Sequence, residues 1–218
     1  MKKEPGSFIL IFALAFTALC SGVFLSVVYA GTKPMIQANQ AAAIRKAIFQ
    51  VLPEATSFEI YEVKEGKMVH YEDPEGKMPD GQAIYRGMRK DNTPVGYAVP
   101  NKGAGFQDDI KLIFGYQPQI ETIVGMRVLE SRETPGLGDK IEKDANFVAN
   151  FDQLVVKPTV VANKKGKRTE LNQVDTISGA TISSMAVIKI INNSITDFGP
   201  VIHDFMESDG EQDTKGGE

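Results

Sequence analysis

The chain has 218 residues, 42% of them hydrophobic and 24% charged, a balance that excludes a disordered or fibrous protein and suits one globular domain with attachments. The formal net charge is −4, and the segment from Glu207 onward, with five acids and one lysine, supplies all of it. The remainder is near neutral, which argues against a nucleic-acid-binding surface.

The N-terminus carries Lys2 and Lys3, and from Phe8 to Tyr29 there is no charged residue. At ~1.5 Å per residue this run spans a hydrocarbon core of roughly 30 Å, so residues 1–31 are expected to be a short cytoplasmic N-terminus and a transmembrane anchor. Val28-Tyr29-Ala30 has the small residues of a signal-peptidase site, but the apolar run is longer than the ~7–15 residues usual for a cleaved signal, which favours an uncleaved anchor. Lys33, Arg45 and Lys46 lie close on the far side and weaken the charge bias that sets orientation. Cys20, the one cysteine, sits inside this run, so no disulfide framework or thiolate metal site is possible within the chain. Thr17-Ala18-Leu19 before it is a poor lipoprotein signal. His70 and His203 fall in separate elements without surrounding carboxylates and read as non-ligands, so no metal is expected.

Residues 32–54 form a connecting segment. Ile36, Ala43, Ala47 and Phe49 fit a loosely amphipathic helix that continues from the anchor and ends near Pro53. A domain over residues 55–206 follows. Ser57–Val63 alternates, with Phe58 and Ile60 opposed to Tyr61 and Val63, and a Lys64–Lys67 turn leads into Met68–Tyr71. Residues 72–82, rich in proline and glycine, read as a loop. Ala83–Arg89 with Val95–Val99, and Ile110–Tyr116 with Ile120–Leu129, read as two hairpins. The result is an antiparallel meander and an α+β class, with flanking helices. Lys164-Lys165-Gly166-Lys167-Arg168 reads as a solvated hairpin turn, and residues 207–218 as a disordered acidic tail.

Glu133-Thr134-Pro135-Gly136-Leu137-Gly138-Asp139-Lys140 interrupts the strand pattern. Pro135 pushes Thr134 toward an extended conformation, Pro-Gly suits a tight turn, and Asp139 with Glu142 resembles a capping box opening a helix through about Asn150. A turn and a cap explain most of these residues but leave Leu137, an apolar residue held between two glycines, without a role. A flat aromatic ring packed on Leu137 would give it one.

The last motif is Asp175-Thr176-Ile177-Ser178-Gly179-Ala180-Thr181-Ile182-Ser183-Ser184, a polar turn running into a helical pattern. Ile182, Met185, Ile188, Ile191, Ile195 and Phe198 recur at three- and four-residue steps, predicting one buried face. Ser178 is placed to cap this helix, with Thr181 in or near its first turn, where unpaired N–H groups and the dipole favour a phosphate. First-turn capping is equally the plain reading of Ser183 and Ser184.

Asp175 followed by Ser178-Gly179-Ala180-Thr181 resembles the flavinylation motif of the FMN-binding domain in bacterial respiratory complexes. Together with Glu133-Thr134-Pro135-Gly136-Leu137-Gly138 some forty residues earlier, it resembles the G-subunit family of the Rnf ion-translocating electron-transport complex. The C subunit of the sodium-pumping NADH:quinone reductase is similar, and Gly96–Phe106 resembles the family's glycine loop. One anchor, the chain length and the motif spacing fit the Rnf protein better.

The resemblance implies FMN held through a phosphodiester bond to Thr181. Ser178, Gly179, Ala180, Ser183, Glu133, Thr134, Leu137 and Gly138 would lie around it. It implies an electron-relay subunit of a ferredoxin:NAD oxidoreductase rather than a stand-alone catalyst, with other membrane subunits of the complex and a flavin transferase as partners. The anchor would be single-pass in the inner membrane, with the domain on the periplasmic side. It leaves the role of Asp175 open between recognition by the transferase and starting the turn. An anchored binding module without redox chemistry, its Ser-Gly-Ala-Thr only a helix cap, is the alternative of a different kind.

Overall fold

The computed structural model describes residues 6–72, 79 and 81–215, with side chains described up to residue 208. The expected loop at residues 72–82 thus lies largely outside the described residues. The chain divides into two units, Met1–Ala42 and Ala43–Glu218.

The first unit is helical. Helix α1, Ser7–Val51, is 45 residues long and runs through Gly31–Pro34 without a break. It is the one helix among the described residues long and apolar enough to cross a membrane. Its side chains in this unit are almost all exposed, including Phe8, Leu14, Phe24 and Tyr29.

The second unit is built on a seven-stranded sheet in the order β2-β1-β3-β4-β5-β6-β7. The strands are β1 Ser57–Lys64, β2 Lys67–His70, β3 Ala83–Met88, β4 Pro94–Ala104, β5 Asp109–Gln117, β6 Thr122–Glu130 and β7 Leu154–Val155, all paired antiparallel. The expected meander is present, with β4 longer than the Val95–Val99 pattern indicated. Alternation divides the central strands between two buried faces. In β5, Leu112 and Phe114 point to one core and Ile113 to the other. In β1, Tyr61 faces the first core, while Ile60 and Phe58 belong to the second.

The end of α1 covers one face. Ala47, Ile48, Val51 and Leu52 pack with Ile60, Tyr85, Ala98 and Ile113. The approach is close because glycines lie beneath it. A β-carbon on Gly125 would meet Val51 Cα at 3.0 Å, and one on Gly87 or Gly96 would meet the Leu52 side chain. Gly87 pairs with Gly96, and Gly115 with Gly125, so glycines recur across four neighbouring strands.

Helix α4, Thr181–Lys215, covers the opposite face with Val187, Ile188, Ile190, Ile191 and Ile202. Two expectations about it change. Ile182 and Met185 are 53% and 45% exposed, so the buried stripe does not begin with them. The first turn instead buries the small polar residues Ser183 and Ser184, because the chain folds back over that side. The helix also continues through Lys215, into the segment expected to lack structure. Extending an existing helix adds a hydrogen bond per residue without a new nucleus.

The helix expected from Asp139 to Asn150 is two short ones, α2 Lys140–Lys143 and α3 Ala145–Ala149. Asp139 does not cap; its carboxylate pairs with Lys143 at 2.7 Å. Asp144 is the cap, accepting from the N–H groups of Asn146 and Phe147, and its extended backbone separates the helices. Strands β8 Val161–Asn163 and β9 Gln173–Asp175 pair in parallel, so the basic run between them is not a hairpin turn. It is nonetheless solvated: Lys164, Lys165 and Lys167 are exposed.

Candidate functional site

Two tight turns from distant parts of the chain meet at the N-terminus of α4. In the first, Leu137 N–H donates to Thr134 O at 3.1 Å and Gly136 has φ +78°, the pattern of a type II turn with Pro at its second position. In the second, Ala180 N–H donates to Ile177 O at 3.0 Å and Gly179 has φ +83°, which a side chain rarely adopts. A methyl-sized atom on Gly179 would lie 3.9 Å from Leu137 Cδ2, so the tips of the two turns are neighbours.

Between them lies a cleft of about 380 Å³. The first turn lines it with Glu133, Thr134, Leu137 and Gly138, and the second with Gly179, Ala180 and Thr181. Ile182 and Ser183 follow on the helix, and Phe106 enters from the loop after β4. Every site residue expected from sequence is therefore brought to one place except Ser178, which is exposed and outside the lining.

Ser178 makes no cap hydrogen bond among the described residues. Ser184 organises the turn instead: its Oγ donates to Ala180 O at 2.9 Å and accepts from Ile177 N–H at 3.1 Å. Thr181 opens the helix, exposed, at the point where first-turn N–H groups lack intrahelical acceptors.

Ser183 does not cap either. Its hydroxyl donates to Glu133 Oε2, and the other oxygen, Oε1, accepts from Phe106 N–H at 2.8 Å and Gln107 N–H at 3.0 Å. Glu133 is only 5% exposed. Burial pushes its carboxyl pKa upward, but the Ser183 hydroxyl and the backbone N–H groups of Gln107, Phe106 and Asp108 outweigh that and hold it below the usual carboxylate value. The carboxylate also explains two glycines. A β-carbon on Gly138 would meet Glu133 Oε2 at 2.7 Å and Ser183 Oγ at 2.9 Å. One on Gly105 would collide with Glu133 Oε1 and lie 2.6 Å from Asp108 O. The glycine loop therefore has a packing reason here.

Asp175 faces away from the cleft. Its Oδ2 accepts from Gly166 N–H at 2.9 Å, and its Oδ1 from Arg168 N–H at 3.0 Å and Lys167 N–H at 3.2 Å. Successive N–H groups converging on one carboxylate form a backbone nest. The Asp175 N–H is in turn held by Asn150 Oδ1 at 3.1 Å. Asn150, whose signal in the sequence is only its place after a helical segment, was not among the expected residues.

The donors suit a flavin phosphate and its ring. Thr181 offers an accessible oxygen at a helix N-terminus, and Leu137, Ile182 and Phe106 supply apolar walls that are 49%, 53% and 64% exposed. An apolar cleft of this size with a few convergent polar groups is the usual form of a cofactor site.

Residues 105–196, which hold both turns and the start of α4, match the FMN-binding domain family. Several relatives match most of the chain. The G subunit of the ion-translocating oxidoreductase complex of Methanosarcina acetivorans is 31% identical over 178 residues, covering 80% of this chain and 85% of that protein. Its namesake in Haemophilus influenzae (strain PittEE) is 33% identical, covering 80% and 82%. The G subunit of the Na(+)-translocating ferredoxin:NAD(+) oxidoreductase complex of Acetobacterium woodii is 28% identical, covering 86% and 87%. Among solved structures, Shewanella oneidensis NqrC shares the fold with a TM-score of 0.58 at 17% identity, covering 82% of this chain and 99% of that one. The chain belongs to the G-subunit family of ion-translocating oxidoreductase complexes.

Proposed function

We propose that this chain is the FMN-carrying electron-transfer subunit of an ion-translocating oxidoreductase complex, anchored in the membrane by α1, with the flavin joined covalently to Thr181. The observation that supports the attachment point is the convergence of the Thr134–Leu137 turn and the Ile177–Ala180 turn on an exposed Thr181 at the start of α4. FMN, when bound, supplies the redox chemistry, and the protein supplies its placement. The N-terminus of α4 favours a phosphate by its free N–H groups and dipole. Leu137 would provide an apolar contact for the ring, and Gly179, whose β position meets only Leu137, would let backbone approach it.

Attachment requires a flavin transferase. Thr181 Oγ1 would receive the FMN phosphoryl group of FAD, giving up its proton to a base of the transferase as the phosphoanhydride bond breaks and AMP leaves. Thr181 is thus a modification site, and its exposure gives the transferase access. The domain lies on the periplasmic side, where a covalent tether prevents loss of a cofactor that the cell cannot recover. Its partners are the other membrane subunits of the complex.

The test is Thr181→Ala in cells that express the transferase. The variant folds and lacks covalent flavin, seen as the loss of in-gel fluorescence under ultraviolet light after denaturation. Equal fluorescence from variant and wild type rejects the attachment site.

A further inference from the structure

We infer that Glu133 is a positioning residue for the attachment reaction, acting on Thr181 through Ser183 rather than by touching the flavin. The inference rests on the proposed attachment at Thr181 and concerns what holds that threonine in place.

Each oxygen of the Glu133 carboxylate already has a partner. Oε1 takes the N–H groups of Phe106 and Gln107, and Oε2 takes the Ser183 hydroxyl. Gly105 and Gly138 press against the same group with no room for a β-carbon. One carboxylate therefore joins the glycine loop, the Thr134–Leu137 turn and the first turn of α4. These are the three pieces of backbone that enclose the cleft, and they come from separate parts of the sequence.

The helix start needs such a fixture. Ile182 and Met185 are exposed, so the buried apolar contacts lie on either side of the first turn, at Ala180 and from Ala186 onward. Its buried contacts there are the hydroxyls of Ser183 and Ser184, which are 3% and 0% exposed. Ser184 bonds only within its own turn, to Ala180 and Ile177. Among the described residues, the side-chain hydrogen bond that ties this turn to the opposite wall is the one from Ser183 to Glu133. Thr181 lies two residues before Ser183 on the same turn, so a shift of Ser183 moves Thr181 relative to Leu137 and Gly138. Leaving a buried carboxylate short of a donor also carries a cost, which makes the arrangement self-enforcing.

Ser183→Ala, Glu133→Gln and Glu133→Ala in the full-length chain test this. Each is treated with purified transferase and FAD, while hydrogen exchange follows the amides of Phe106 and Gln107. Ser183→Ala is expected to slow attachment by about 10- to 100-fold, the effect of a small misplacement at a reacting atom, in a chain that still folds but unfolds at a somewhat lower temperature for want of that donor. Glu133→Gln keeps an acceptor for the loop amides and retains most of the attachment rate. Glu133→Ala loses both the rate and the protection of the two amides. Ser183→Ala at the wild-type rate overturns the inference, and so does Glu133→Gln failing as completely as a stably folded Glu133→Ala, which would make charge the cause. Should Glu133→Ala fail to fold, Ser183→Ala decides alone. If wild type takes no flavin, the attachment reading falls, and the positioning role at Thr181 falls with it. Amide exchange then shows whether Glu133 still joins the three segments.

Discussion

Gly115 lies directly beneath the carbonyl of Val51, so close that a β-carbon on the strand would overlap the helix backbone. Val51 ends α1, whose apolar N-terminal stretch belongs to the other unit of the chain. The glycines of β3 to β6 thus let the last turn of α1 rest on sheet backbone rather than on side chains.

Gly115→Ala is expected to destabilise the second unit by about 1–3 kcal/mol, toward the upper end because the obstructing atom is backbone and cannot swing aside. Denaturant unfolding of the purified chain measures this. Gly136→Ala is the contrast: there is open space around its β position, so only its φ of +78° opposes the change.

Leu137→Asp is expected to leave covalent flavin in place while changing its absorption spectrum and midpoint potential. A charge replaces the apolar contact, but Thr181 is untouched. An unchanged spectrum and midpoint would remove Leu137 from the ring's surroundings.

Asp175→Ala deprives Gly166, Lys167 and Arg168 of a shared acceptor. The expected cost is about 1–3 kcal/mol, accompanied by proteolytic sensitivity in the basic loop. Limited proteolysis of the flavin-free chain separates this structural role from recognition by a transferase, since no transferase is present in that assay.

Glu133 gives an acid dependence of stability. Its carboxyl is held below the usual value in the folded state, so its contribution is fully present above the unfolded pKa of 4.5 and is lost as pH falls through the lower folded value. Urea midpoints measured from about pH 7 to about pH 3 are expected to fall less steeply on the acid side for Glu133→Gln than for wild type. Parallel acid limbs would show that the carboxylate is not held ionised by its hydrogen bonds.

Much of the fold was legible in the sequence because its signals are local. An uninterrupted apolar run marks a helix able to span a membrane, and period-two alternation with short polar turns marks antiparallel neighbours. The two turns at the cleft were equally readable, since Pro-Gly and Gly-Ala before a helix are backbone requirements that side-chain chemistry announces. The parallel pairing of Val161–Asn163 with Gln173–Asp175 was not: three-residue strands carry too little pattern. Nor was the phase of the last helix's first turn. Ile182 and Met185 satisfy a helical period as well as Ile188 and Ile191 do, and periodicity cannot say where along a helix its partner layer stops.

The sequence by itself determined the meander, the apolar helix and the two turns that meet at the cleft. Tertiary structure alone decided what the polar residues do. Asp139, Asp144, Asp175, Ser178, Ser183, Ser184 and Glu133 are all capable of capping or binding. Which does which depends on the N–H group or hydroxyl that folding brings within about 3 Å. Ser183 and Glu133 are separated by 50 residues and meet only because the chain closes around the cleft. Hydrogen bonds act over a few ångströms, so a polar side chain acquires its role from its neighbours in space, and only the closed chain supplies those neighbours.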